Sequence, residues 1–83
     1  MSFKTMEKTR RLIMFTLQDL GEATTEELIT EAETLGIAEC RDRVPSAIAD
    51  LSDEGLLIKR LSKEKKAIVW TLSEQFDEAL LQL

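Results

Sequence analysis

The chain has 83 residues, 43% of them hydrophobic and 33% charged, and a formal net charge of −5. That balance excludes a disordered chain, and the length leaves room for one domain only. With no His, no Tyr and a single Cys, Cys40, it also excludes an intrachain disulfide, the usual Cys/His zinc site and every catalytic dyad or triad that uses His as a base.

Residues 5–20 carry Met6, Ile13, Leu17 and Leu20 on one side at helical spacing, joined by Thr9 and Thr16, which predicts a first helix. Gly21 is a typical residue to end it. Phe15 falls on nearly the opposite side, so this helix is apolar on more than one face. Thr24-Thr25-Glu26-Glu27 is a capping box, with Thr24 as N-cap and Glu27 three residues on. It opens a second helix running to about Leu35, with Leu28, Ile29, Ala32 and Leu35 as the inward stripe and Gly36 as the stop. A third helix is expected over roughly 42–54, with Pro45 in its first turn, Val44, Ala47, Ile48 and Leu51 inward and Gly55 as its stop.

The period then changes from that of a helix to that of a strand. Residues 57–61 and 66–72 read as two strands around Ser62-Lys63-Glu64-Lys65, a loop without Gly and therefore four residues or longer. Residues 22–24 are a candidate third strand at the sheet edge. Ser73 is a candidate N-cap for a last helix over 74–83, with Phe76, Ala79, Leu80 and Leu83 on one stripe. The expected fold class is α+β, mainly helical: helix, helix, helix, hairpin, helix.

The longest apolar runs, residues 12–15 and 67–70, have four residues each, against about 18 for a membrane helix. The start, Met1-Ser2-Phe3-Lys4, leads into a charged, periodic segment without a secretory pattern, so cytoplasmic residence is the default expectation. Charge is unevenly distributed. Residues 21–39 hold six Glu and no base, whereas Lys59, Arg60, Lys63, Lys65 and Lys66 cluster on the hairpin against Glu64 alone. No nucleophile–base pair can be named. A pair such as Glu27/Glu31 lacks the further oxygen ligands that a hard cation needs. The expectation is a binding module, not an enzyme, with no cofactor and no metal.

The stretch from Thr24-Thr25-Glu26-Glu27-Leu28-Ile29 through Leu35-Gly36-Ile37, then Val44, Ile48 and Leu51, then Glu54-Gly55-Leu56-Leu57 and the basic hairpin, resembles the winged helix-turn-helix superfamily. The resemblance rests on residues 23–72. The connection between Gly36 and Val44 is about two residues longer than the shortest in that family. The implied organisation is one domain over 1–83: an N-terminal helix at 1–21, the helix-turn-helix at 23–55, the wing hairpin at 56–72 and a C-terminal helix at 73–83. Members mostly bind duplex DNA, with the third helix in the major groove and the wing along the backbone or minor groove. A minority bind protein or RNA.

Duplex DNA is accordingly the expected partner and transcriptional regulation the expected role. The candidate contacts are Lys59, Arg60, Lys63, Lys65 and Lys66 on the hairpin, with Arg41, Arg43 and Ser46 at the start of the third helix. The outward side of that helix carries Asp42, Ser46, Ala49, Asp50 and Asp53, and no Arg, Lys, Asn or Gln to read a base edge. A hairpin-led mode of weak sequence specificity fits this better than readout by the helix body. The alternative is a protein-interaction adaptor that docks through its acidic second and third helices. Trp70 and Phe76 read as core, and Cys40 as a half-buried filler. Phe15, Phe76, Leu80 and Leu83 need covering, either by packing of the last helix on the first or by a homodimer built from both terminal helices; the homodimer is the expectation.

Overall fold

The computed structural model describes residues 3–74, with side chains from residue 8 onward. Three helices come first: α1 at Phe3–Leu20, α2 at Thr25–Thr34 and α3 at Cys40–Asp53. An antiparallel hairpin follows, β1 at Leu57–Ser62 and β2 at Ala67–Leu72. The protein is thus a small, mainly helical α+β fold. No helix among the described residues is long and apolar enough to cross a membrane. The expected last helix over 74–83, from residue 75 onward and so with Phe76, Leu80 and Leu83, lies outside the described residues, as does the side chain of Met6.

Sequence chemistry accounts for where most elements begin and end. Both halves of the capping box at α2 are formed: the Glu27 amide donates to Thr24 Oγ1 at 3.1 Å, and the Thr24 amide donates to Glu27 Oε1 at 2.9 Å. α2 and α3 end alike. Past α2, the Gly36 amide donates to the Glu33 carbonyl and the Ile37 amide to the Ala32 carbonyl. Past α3, the Gly55 amide donates to Ser52 and the Leu56 amide to Leu51. These are Schellman closures, and each needs a residue at positive φ, which Gly36 and Gly55 supply at +79°.

α3 departs from expectation at its start. It begins two residues early, from Glu39 at φ 57°, a left-handed N-cap whose side chain makes no capping bond. Pro45 therefore sits in the second turn. Its missing N–H deprives the Arg41 carbonyl of its usual helical donor.

The core lies between the three helices and the base of the hairpin. Ile13 and Leu17 of α1, Leu28, Ile29 and Ala32 of α2, and Val44, Ala47, Ile48 and Leu51 of α3 are all buried. Met14, outside the expected stripe of α1, is buried as well. Leu20 and Leu35, expected inward, are about 60% exposed (59% and 61%). Leu20 is the last residue of α1, and Leu35 is the C-cap of α2, so both fall where the chain turns off the helical register. Cys40 is fully buried rather than half-buried, and its Sγ donates to the Ile37 carbonyl at 2.6 Å.

The hairpin register runs from Leu57 opposite Leu72 to Ser62 opposite Ala67. The expected third strand is a single bridge. Ala23 and Trp70 exchange both backbone hydrogen bonds, at 3.2 and 2.8 Å, which makes β2 the middle of the sheet. Leu57 and Val69 anchor the hairpin in the interior. Trp70 is half-buried and its Nε1 donates to Thr25 Oγ1 at 3.1 Å. Ser73 closes the hairpin base: its hydroxyl donates to the Gly55 carbonyl at 2.5 Å and its amide to the Leu56 carbonyl at 2.9 Å.

Candidate nucleic-acid interface

The hairpin tip is where the basic residues gather. A four-residue turn, 63–66, joins the strands and contains Lys63, Lys65 and Lys66, with Lys66 at φ 53°. The Lys65 amide donates to Oγ of the buried Ser62 at 3.2 Å, which fixes the turn from below. Lys59, opposite Trp70, and Arg60, opposite Val69, project from the edge strand β1. On the face shared with Lys59, the cross-strand pair Leu61 and Ile68 is exposed (65% and 42%).

The eight candidate contacts do not share one environment. Lys59, Lys63 and Lys66 are exposed and form no ion pair among the described residues. Arg60 pairs with Glu22, and Lys65 Nζ donates to Glu27 Oε1 at 2.8 Å. At the start of α3, Arg41 is exposed and lies 3.4 Å from Glu26. Ser46 is exposed. Arg43 is folded inward: its side chain is 13% exposed, it pairs with Glu39 at 3.3 Å, and its buried Nε has no partner among the described residues. No sequence signal marks that inward turn, in which Arg43 meets the left-handed cap residue Glu39.

Glu26 and Glu27 are neighbours on the first turn of α2. One holds a cation from α3 and the other a cation from the hairpin tip. The start of α3 and the tip of the hairpin therefore flank the same end of α2. The Lys65 ammonium, and then the Thr24 amide, hold the Glu27 carboxyl below its ordinary value of 4.5. These acids were the part of the site that sequence reasoning missed. Only the capping box fixed where Glu27 would sit.

Arg10 of α1 lies elsewhere, against the end of α3. Its guanidinium makes a two-point contact with Glu54, at 2.6 and 2.8 Å, tying α1 to the end of α3. That contact lowers the Glu54 carboxyl below its ordinary value. The outward residues of α3, Asp42, Ala49, Asp50 and Asp53, are all exposed. No group of three or more His, Cys, Asp or Glu among the described residues could hold a metal ion. Phe15 is 54% exposed on the outer side of α1.

Comparison with known proteins finds no matching family model, no similar characterised protein and no similar solved structure.

Proposed function

We propose that this chain is a winged helix-turn-helix DNA-binding protein, a transcriptional regulator that grips duplex DNA mainly through its hairpin wing. The observation that carries the reading is the set of three exposed lysines, Lys59, Lys63 and Lys66, free of ion pairs among the described residues on a two-stranded ribbon that follows α3. Ammonium groups on such a ribbon lie along phosphates, and the release of counterions drives association. Arg41 and Ser46 would approach the groove at the start of α3, while Asp42, Asp50 and Asp53 repel phosphate along its body. Binding is therefore wing-led and weakly selective for sequence.

Fluorescence anisotropy with a random-sequence duplex across a salt series tests this. The variant carrying Lys63→Glu, Lys65→Glu and Lys66→Glu should bind more weakly to every sequence, with a salt slope shallower by roughly 0.9 for each lost phosphate contact. Circular dichroism of the same variant checks that it remains folded. Absence of binding by the wild-type protein at low salt ends the reading.

The second reading, a protein-interaction adaptor, draws on the exposed acids Glu31 and Glu33 of α2 and Asp42, Asp50 and Asp53 of α3. Recovery of one stoichiometric protein partner without nucleic acid would establish it. The exposed Phe15 supports the homodimer reading, in which it meets Phe76, Leu80 and Leu83; a sedimentation mass of a single chain at tens of micromolar would exclude it.

A further inference from the structure

Three acids within six residues each hold a cation that belongs to the proposed DNA surface. Glu22 holds Arg60 of the hairpin, Glu26 holds Arg41 of α3, and Glu27 holds Lys65 of the hairpin tip. The other two acids of α2, Glu31 and Glu33, hold none among the described residues. The pairing thus follows position, not the mere abundance of carboxylates. Glu27 is also held in place: its Oε1 accepts both the Lys65 ammonium and the Thr24 amide, so the helix cap presents the carboxylate to the cation.

We propose that the segment 22–27 is a built-in competitor for phosphate: an autoinhibitory contact in which Glu22, Glu26 and Glu27 occupy the donors of Arg60, Arg41 and Lys65 until a polyanion displaces them. This rests on the reading of the hairpin as a DNA surface and assigns the regulation of that surface. A carboxylate satisfies the same ammonium and guanidinium donors that a phosphate oxygen would take. All three acids retain contact with solvent, with side chains 29%, 72% and 46% exposed, so each pair is weak and exchangeable. Salt screens these exposed pairs too. The competitor therefore costs affinity mainly at low ionic strength, and the protein's binding depends on salt less steeply than its cation count implies.

The test compares the wild-type chain with two triple variants of equal charge. One carries Glu22→Gln, Glu26→Gln and Glu27→Gln; Gln at position 27 keeps the capping box intact. The other, a control, carries Asp19→Asn, Glu31→Gln and Glu33→Gln. Binding to a random-sequence duplex is measured by anisotropy from low to moderate salt. The first variant should bind about tenfold more tightly at low salt, from the summed loss of three exposed pairs. It should also show a steeper salt slope, converging on the wild type as salt rises. The control should gain at most a small part of this. Equal gains in both variants, or wild-type binding with no gain in the first, overturn the competitor while leaving the DNA reading in place. Failure of all three proteins to bind overturns both.

Discussion

The helical body and the hairpin solve the problem of stability differently. In the body, three helices close on a continuous set of buried side chains from Ile13 to Leu51, and backbone hydrogen bonds close the C-terminal ends of α2 and α3. The hairpin rests on a few anchors: Leu57 and Val69 inside, Trp70 hydrogen-bonded to Thr25, and Ala23 bridging β2. Beyond those anchors and the buried Ser62, much of its apolar surface faces solvent, including Ile58, Leu61 and Ile68. Stability is concentrated in the body, and positive charge is concentrated on the hairpin, where little stability is at stake. Substitutions should therefore lose their effect on folding and gain effect on binding along the path from body to tip.

The largest effect on folding should come from Leu51→Ala. Leu51 is fully buried in α3, and truncation removes its apolar contacts and leaves a cavity. The expected loss is about 2–5 kcal/mol by chemical denaturation, enough to lower Tm by about 10 °C or more. A loss no greater than that of a surface variant would break the distinction. Thr25→Val acts at the joint between the regions. It removes the acceptor of the half-buried Trp70 Nε1 and should cost about 1 kcal/mol. The fluorescence of the only Trp should shift if the ring moves.

Glu54→Gln weakens the tie from α1 to α3 and should cost no more than about 1 kcal/mol, since Glu54 is partly exposed. Its pH dependence has a fixed sign. The carboxyl is held below 4.5 in the folded chain, chiefly by the Arg10 hydrogen bond. Its stabilisation is therefore complete at neutral pH and is lost as pH falls through 4.5 toward the folded value. Denaturation curves of the wild type and the Gln variant should differ at pH 7 and merge in acid; a gap that widens in acid would reverse the assignment. Least affected in folding should be the variant carrying Lys63→Gln and Lys66→Gln, within about 0.5 kcal/mol of wild type. Its salt slope for DNA should nonetheless shrink by about 2, which sharpens the contrast between the regions.

Local signals were legible where local chemistry decides. The capping box at Thr24 and Glu27, the glycine stops at 36 and 55 and the switch to strand period after Gly55 all appear in the structure. What was not legible depends on residues distant in sequence or on strain. Nothing around Glu39 announces a left-handed cap, so the early start of α3 and the inward turn of Arg43 could not be read. Met14 is buried on a helix that packs chiefly against α3, and Leu20 is exposed as the last residue of α1, so partners distant in sequence set the covered arc. The pairs Glu22–Arg60 and Glu27–Lys65 join residues 38 apart, and only the folded arrangement brings them together.

Cys40 gives the molecule a natural reporter. It is buried in the first turn of α3, and its sulfur is hydrogen-bonded to the Ile37 carbonyl. A thiol reagent can reach it only when that turn lifts, so the rate of labelling in native buffer clocks the opening of the same turn that presents Arg41. Added duplex that clamps this end of the helix would slow the clock, giving a footprint of engagement from a single sulfur atom.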